Sequence, residues 1–479
     1  MNTKQNTPIL IAITTLFITA WCATSALGGA SLVAIPTLDT DTDNQARAIT
    51  PDGVYVVGGS GTTLNPATDS GKGFLYNVTN QYLVRPVSSD LAAAIVLTGV
   101  GYRTYSGQTE LIADGWSGGW RCDWMTTDGG TNWGAKVRAN NYPIADNHYT
   151  TGPNVNSTGG SLAATPDVFY TVECDTQGGV PQWFAQCSNA WPVAPNWSSK
   201  GITSPDTVNM NGVSASGRAV GRRVNGGIPK GWMLTWAQGT PGNTYINGLD
   251  GTQAGEAFSV SADGNTVFGR QPLIGTNYGY KVTFSGTTQT STNALPHFPN
   301  TAGSTSLDVP YGCSADGNYA VGMNYRGTEK GVLWNTSDAD TNKWTVLDLT
   351  ELATLHGVLG NFIRLHRPFS IGTSASGDKV ITGIGVWSPD GGSTFNTRAF
   401  VMTVPMPIRT PLTISNSSPA GFTLSYLGLG NATNVLEYTT NLNLPHTWTP
   451  IDTNTSGSIV TVLDPAPTDV QRFYRVVTQ

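Results

Sequence analysis

Alternating hydrophobic positions recur along the chain in two short patterns, and the first of them joins two apolar runs through a polar turn. It is written VSADGNTVFG at 260–269 and CSADGNYAVG at 313–322. A glycine after the acid accepts the positive φ that a tight turn needs, so the pattern predicts a β-hairpin. The turn residues, which define repeats 1 to 7, are Asp52, Ser106, Asp167, Ser216, Asp263, Asp316 and Ser376.

The second pattern follows each hairpin and begins with a large apolar residue after a small one. In most copies apolar residues recur two and four places later, as at Trp232, Leu234 and Trp236. A period of two indicates a strand with one buried face. The leading apolar residues are Phe74, Trp120, Trp183, Trp232, Tyr280, Val332 and Phe400.

Each repeat therefore predicts four strands, which we call a, b, c and d. Four-stranded repeats about 50 to 60 residues apart predict an all-β fold, a seven-bladed β-propeller with four-stranded blades. A solenoid is the alternative architecture. Repeat 7 lacks a strand d, so residues 31–38 are expected to supply it and to close the ring.

The two ends of the chain predict different segments. An apolar run with Lys4 as the only charge before Asp39 predicts a signal peptide over residues 1–30, with an uncleaved anchor as the alternative. The propeller then covers residues 31–405. Short strands separated by Gly, Asn, Asp and Pro predict a small β-sandwich over 406–479, where Tyr474 is either a corner tyrosine or a core residue.

Composition favours turns and strands over helices and disfavours nucleic acid as a partner. Only 12% of residues are charged and the net charge is -6, with no basic run. A phosphate-binding surface needs clustered Lys and Arg. No second apolar run is long enough to span a membrane. We therefore expect a secreted or cell-surface protein, a monomer, with extracellular polysaccharide or surface proteins as candidate partners.

The two patterns resemble the HAF-type repeat of secreted bacterial proteins. The closest copies are residues 46–78, 208–236, 255–284 and 306–335. The segment 349–385 resembles the last unit of such proteins, in which a short helix precedes the final strands. Residues 437–477 are similar to fibronectin-III-like modules. The resemblance implies a propeller followed by an attachment or spacer module, and it implies no general chemistry.

No motif predicts catalytic residues. The string GWSGG at 115–119 fits a nucleophile elbow by letter, but Ser117 is expected in a b–c hairpin with no helix after it. Strings at 126–133 and 388–395 resemble Asp-box turns, which carry no catalysis. His356 and His366 are interpreted as surface residues beside the predicted helix.

We predict no metal and no cofactor. The acidic loops 39–44 and 338–342 have alternating carboxylates, and calcium binding there is an alternative to plain solvated loops. Cys174 and Cys187 are expected to face each other across the b–c hairpin of repeat 3 as a candidate disulfide. Cys122 and Cys313 are expected to be buried thiols.

Tryptophans in long insertions are the candidate ligand-binding residues. Trp133, Trp191 and Trp197 lie in Asn- and Gly-rich insertions of repeats 2 and 3. Exposed aromatic rings can stack on sugars, and packing onto the blades is the alternative. We predict a non-catalytic binding or scaffold protein. The rival prediction is an extracellular glycoside hydrolase or lyase with acids in the propeller funnel, which convergent carboxylates and arginines would favour.

Overall fold

The structure is a computed structural model of the chain. It describes residues 30–61, 71–86, 96–105, 108–117, 120–126, 134–137, 158–159, 169–173, 182–187, 197–202, 208–225, 227–235, 244–253, 255–273, 276–298, 306–406, 412–416, 421–428, 433–440, 447–455, 459–465 and 472–478. Nearly all of the predicted signal peptide therefore lies outside the described residues. No helix in the described ranges has the length and apolar character needed to cross a membrane.

The regular structure of the described residues is nearly all β-strand. Repeats 1 to 3 follow a first strand, β1 (Ser31–Ala34), and contain β2 (Asp43–Ile49), β3 (Tyr55–Gly61), β4 (Lys72–Asn77), β5 (Tyr82–Val84), β6 (Val96–Tyr105), β7 (Gln108–Ser117), β8 (Trp120–Thr126), β9 (Gly134–Val137), β10 (Thr158–Gly159), β11 (Phe169–Glu173), β12 (Gln182–Cys187) and β13 (Trp197–Ile202). Repeats 4 to 7 contain β14 (Val208–Val213), β15 (Arg218–Asn225), β16 (Ile228–Thr235), β17 (Thr244–Tyr245), β18 (Glu256–Val260), β19 (Thr266–Leu273), β20 (Thr276–Ser285), β21 (Thr288–Ala294), β22 (Ser306–Cys313), β23 (Tyr319–Arg326), β24 (Glu329–Asn335), β25 (Thr345–Asp348), β26 (Phe362–Thr373), β27 (Lys379–Trp387) and β28 (Asn396–Val404).

The C-terminal segment adds six strands, and one α-helix lies inside the repeats. The strands are β29 (Thr413–Asn416), β30 (Gly421–Leu427), β31 (Asn434–Thr439), β32 (Thr449–Asn454), β33 (Ile459–Pro465) and β34 (Phe473–Thr478). The helix α1 (Leu349–Leu355) precedes β26, as the resemblance implied, and Asp348 caps it. A 3-10 turn occupies Thr341–Lys343.

Each repeat forms an antiparallel sheet in which the strands pair in chain order. The orders are β2-β3-β4-β5, β6-β7-β8-β9, β10-β11-β12-β13 and β14-β15-β16-β17. In repeat 5, β18-β19-β20 continues to β21, and in repeat 6 the order is β22-β23-β24-β25, with a short parallel contact between β20 and β22. First strands from six repeats line one common cavity. Four-stranded sheets with their first strands around an axis form a β-propeller, so that part of the prediction is confirmed.

The first described strand belongs to the sheet of repeat 7. β1 pairs antiparallel with β28, with Ser31 opposite Thr403 and Ala34 opposite Phe400. The Ile35 amide extends the pairing by donating to the Ala399 carbonyl over 2.9 Å. The sheet order is β1-β28-β27-β26, so residues from the two ends of the repeat region share one sheet.

The core lies between neighbouring sheets and is built from the predicted apolar positions. Phe74, Trp232, Tyr280, Val332 and Phe400 are each at most 1% exposed. The side chains of Phe74, Tyr280, Val332 and Phe400 join clusters shared by adjacent repeats, which explains the period of two in strand c. The side chains at the corresponding positions of repeats 2 and 3 lie outside the described residues.

The turn of repeat 5 shows what holds each a–b hairpin. Ser261 Oγ donates to Asp263 Oδ1 over 2.6 Å and accepts from the Thr266 amide over 2.9 Å. Asp263 Oδ1 also accepts from the Asn265 amide over 3.0 Å. Repeats 1 and 6 repeat these contacts with Thr50 and Ser314. The turn acids therefore satisfy local donors, as expected of residues with a structural role.

Serine replaces the turn acid where the hairpin is one residue shorter. In repeat 4, Ser214 Oγ lies 2.9 Å from Ser216 Oγ and accepts from the Arg218 amide, four residues further on. Repeat 7 has the same four-residue spacing from Ser374 to Asp378. The acid-containing turns span five residues, and the carboxylate accepts the amide of the additional residue. The exchange of Asp for Ser thus follows turn length.

The C-terminal segment forms two three-stranded sheets with a shared core. The orders are β29-β30-β33 and β32-β31-β34. Leu424, Tyr426 and Leu436 are fully buried between them. Tyr474 donates its hydroxyl to Asp464 Oδ2 over 2.7 Å, and Leu427 joins the core cluster of repeats 6 and 7 beside α1.

Truncation of Ile35 tests whether the segment after β1 is part of the core. Its side chain is fully buried in a cluster shared by repeats 1 and 7. We expect Ile35→Ala to lower the free energy of unfolding by about 2–5 kcal/mol. The control is Ile363→Ala, which makes the same chemical change at a side chain that is 48% exposed. Equal denaturation midpoints for the two variants would contradict the packing of this segment.

Candidate functional site at the propeller axis

A β-bulge interrupts strand a at a corresponding place in repeats 1, 2, 4, 5, 6 and 7. The register with strand b shifts there by one residue. A bulge re-aims a side chain and is frequent beside functional sites. The residues at these shifts are Arg47, Thr98, Asn211, Phe258, Tyr311 and Phe369.

A glycine of strand b makes the bulge possible in repeats 1, 2, 5, 6 and 7. A Cβ on Gly322 would overlap the Val309 carbonyl, and one on Gly269 would overlap the Glu256 carbonyl. Gly58 and Gly115 meet the carbonyls of Gln45 and Val96 in the same way. The glycine that ends the VVG pattern is therefore required by the neighbouring backbone of strand a.

Three of the bulge residues form an aromatic collar, which consists of Phe258, Tyr311 and Phe369. Tyr311 lies edge-on to Phe258 with ring centroids 6.0 Å apart, and Phe369 is 5.4 Å from Tyr311. Arg270 lies over Phe258 at 5.3 Å and Arg47 lies over Phe369 at 5.5 Å. All three rings are buried, and burial raises the pKa of Tyr311 to about 12. The collar is therefore a packed group of aromatic rings, and guanidinium groups lie over two of them.

A cavity of about 110 Å³ extends along the axis from Phe258 to the a–b turns. Its described lining residues are small or apolar and include no Asp, Glu, His, Lys or Arg. Ser259 Oγ is buried there without a well-formed hydrogen bond, beside the Cys313 thiol. Burial raises the pKa of that thiol to about 12, so it stays protonated and unreactive. The described lining therefore offers space and serine hydroxyls but no acid or base.

Charged residues of three repeats surround the collar at the opposite end of the strands from the turns. We call Glu256, Arg270, Glu329, His366 and Arg367 the axial mouth. Arg270 pairs with Glu256 at 3.0 Å and Arg367 pairs with Glu329 at 2.9 Å. His366 Nδ1 lies 3.0 Å from the second oxygen of Glu329. Tyr311 interacts electrostatically with all four members of the two ion pairs, so the mouth is one cluster.

The mouth keeps Glu329 ionised and His366 neutral at pH 7. Burial opposes ionisation of Glu329, but hydrogen bonds from Arg367 and His366 outweigh it and lower its pKa. Burial lowers the pKa of His366 against the opposing effect of Glu329. A glycosidase acid needs a raised carboxyl pKa, which Glu329 does not have. Binding of charged groups suits this electrostatic arrangement better than proton donation by Glu329.

The structure describes none of the side chains of the predicted site residues. Trp133, Trp191 and Cys174 are outside the described residues. Trp197 begins β13 opposite Cys187 of β12, and Cys187 also pairs with Phe169 of β11. The tryptophan platform and the disulfide therefore stay predictions.

Other sequence candidates have structural partners. Ser117 ends β7 opposite Trp120 of β8, as predicted for a b–c hairpin. Asp390 accepts hydrogen bonds from the amides of Ser393 and Thr394, which is the turn role expected of an Asp box. In the first acidic loop, Lys72 Nζ lies 3.0 Å from Asp39 and 2.9 Å from Asp41. A cation in that loop would have to displace this ammonium group.

The sequence interpretation missed the mouth and misplaced one of its members. His366 was interpreted as a surface residue, but its side chain is only 13% exposed and contacts Glu329 from the neighbouring repeat. The bulge positions did have a sequence signal. In repeats 1, 4, 5 and 6 the bulge residue lies three places before the Thr or Ser of the turn, as Phe258 does before Ser261.

Comparison with known proteins finds similarity in structure, with low sequence identities and low TM-scores. No protein-family model and no curated protein matches the chain. The structure is similar to the Dos1 propeller, with 9% identity, 80% of this chain and 96% of that chain covered, and a TM-score of 0.39. For a Lactobacillus plantarum protein the identity is 12%, 72% of this chain and 99% of that chain are covered, and the TM-score is 0.37. For TolB from Acinetobacter baumannii the identity is 12%, 70% of each chain is covered, and the TM-score is 0.33. Similarities at this level carry no inference about the chemistry of this chain.

The pKa of His366 tests the geometry of the mouth. Its folded-state pKa lies below its ordinary value, so the unfolded chain binds the proton first as pH falls. This group therefore contributes stability that is lost as pH drops below about 6.5. Glu329→Gln should lower the pKa of His366 further, because it removes the charge that raises it. NMR titration of the ring measures this, and Asp338→Asn at an exposed loop is the control. An unchanged pKa in Glu329→Gln would contradict the contact.

Proposed function

We propose that this protein is an exported seven-bladed β-propeller that acts as a non-catalytic binding or scaffold protein at the cell surface or in the extracellular matrix. Residues 31–405 form a closed ring, and residues 406–479 form a fibronectin-III-like module that attaches or spaces it. Extracellular polysaccharide is the candidate ligand, and the protein acts as a monomer. The apolar N-terminal run supports export.

Pairing of β1 with β28 supports the closed ring. A strand from the N-terminal end completes the last four-stranded sheet, so that sheet has no missing outer strand. The seven sequence repeats supply the blade number, and the HAF-type patterns extend over both ends of the ring.

One observation carries the binding function over the enzymatic one. Both carboxylates of the axial mouth are held by arginines, and the pKa of Glu329 lies below its ordinary value. An acid–base pair for glycoside hydrolysis needs one carboxyl group that stays protonated near neutral pH. The cavity beyond the collar adds no second acid among its described lining residues.

An extracellular carbohydrate-active enzyme is the second candidate, and a specific observation favours it. Carboxylates and arginines from repeats 5, 6 and 7 meet at the mouth, as the rival prediction required. His366 is neutral at pH 7, and its Nδ1 contacts Glu329, an arrangement in which the other ring nitrogen could act as a base. We expect no release of reducing ends or unsaturated products from a polysaccharide panel. Turnover that is lost in His366→Gln would contradict a non-catalytic role.

Retention on immobilised polysaccharides tests the binding function. We expect the full chain to bind at least one polysaccharide, and Trp133→Ala, Trp191→Ala and Trp197→Ala each to weaken binding by about threefold to tenfold through loss of ring stacking. The control is Tyr82→Ala, which removes an aromatic ring that is 53% exposed in β5 of repeat 1. Binding that survives the triple tryptophan variant would reject the platform, and absence of binding to polysaccharides and cell-surface material would reject the function.

A further inference from the structure

Strand β26 carries the largest concentration of basic residues at the mouth. It is 12 residues long and has register shifts at Ile363, His366 and Phe369. Arg364, His366 and Arg367 lie within four residues of one another before the collar. Glu329 contacts both His366 and Arg367, so one carboxylate serves two donors. Arg364 is exposed and makes no ion pair with a residue that the structure describes.

The charge around the collar is positive in a protein whose net charge is negative. Among the described residues of the axial mouth with Arg364 added, the guanidinium groups of Arg270, Arg364 and Arg367 outnumber the carboxylates of Glu256 and Glu329. Three positive and two negative charges leave +1 in this set while His366 is neutral, against -6 for the whole chain. Arg367 Nε is also buried without a hydrogen-bond partner in the described structure. A local excess of positive charge attracts anions.

Aromatic rings lie at the same end of the repeat 7 sheet as Arg364. Trp387 ends β27 and pairs with Asn396 at the start of β28, beside the start of β26. It is partly buried, and Arg398 lies over its ring at 5.6 Å. Phe395 immediately precedes Asn396 and is 60% exposed. Partly exposed rings beside cations are suited to a ligand that has both sugar faces and negative charge.

We infer that the axial mouth, with Arg364 and the rings of Trp387 and Phe395, binds the carboxylate groups of an acidic polysaccharide. This inference rests on the proposed binding function and assigns it a ligand class. Arg364 and Arg367 supply the fork-shaped donors that match a carboxylate. Phe395 and Trp387 supply apolar faces for neighbouring sugar rings. Nucleic acid is disfavoured as the polyanion because a phosphate backbone requires a larger basic surface.

Binding of polygalacturonate at low ionic strength tests the inference with the full chain. Arg364→Gln should weaken the affinity about tenfold, because a charge-assisted hydrogen bond is lost. Arg364→Lys should recover part of it. The control Lys343→Gln removes one positive charge from a side chain that is 62% exposed near the opposite end of its sheet, and it should change the affinity less than twofold. Arg364 is exposed, so unchanged thermal melting is expected and verifies that the variants fold.

A second variant and two further probes make each outcome decisive. Phe395→Ala should weaken polygalacturonate binding several-fold without changing its salt dependence, since no charge is removed. Dextran sulfate provides anionic charge without carboxylates, and dextran provides sugar without charge. Tight binding of dextran sulfate with equal affinities for Arg364→Lys and the unmodified chain would overturn carboxylate recognition.

The remaining outcomes separate the inference from the proposed function. Equal affinities of Arg364→Gln and Lys343→Gln for polygalacturonate would overturn the inference. Retention of dextran but not of polygalacturonate would also overturn it, while the binding function would stand. Failure to bind any polysaccharide or cell-surface material would reject the binding function itself.

Discussion

The close approach of a strand-a carbonyl to a strand-b glycine is the constraint on which the centre of this molecule depends. In repeat 6 the carbonyl of Val309 occupies the space that a Cβ on Gly322 would need. Only glycine allows the backbone of strand a to bulge there, and the bulge re-aims Tyr311 beside the axis. The same arrangement in other repeats brings residues of different types to equivalent places. The framework is therefore repeated while the axial side chains vary.

Two classes of position follow from this construction. Turn residues satisfy local hydrogen-bond donors and strand-c core residues fill the space between sheets in the described copies, so they explain the fold. Arg47, Phe258, Tyr311 and Phe369 occupy equivalent bulges with different chemistry, so they distinguish one side of the axis from the other. The charged residues of repeats 5 to 7 then surround the collar, and the basic residues of β26 give the mouth its excess positive charge.

The sequence predicted the repeated framework well because periodic burial and tight turns leave direct traces in composition and spacing. Phe74 and Trp232 are buried as their alternation indicated, and Gly264 has the left-handed φ of 77° that its turn requires. The relation between Asp or Ser and turn length was not predicted, because it depends on which amide lies within reach of the side chain. The contact of His366 with Glu329 joins neighbouring repeats 37 residues apart in the chain, and no local pattern encodes it.

The central claim is that function resides at the variable residues of the axis, at the mouth above the collar. The most direct measurement is a crystal structure of the full chain with a bound uronate oligosaccharide. The account predicts a sugar carboxylate within hydrogen-bond distance of Arg364 or Arg367 and a sugar ring against Phe395 or Trp387. An oligosaccharide bound only at the tryptophan-containing insertions or on the C-terminal sheets, with the mouth in contact with no ligand atom, would contradict it.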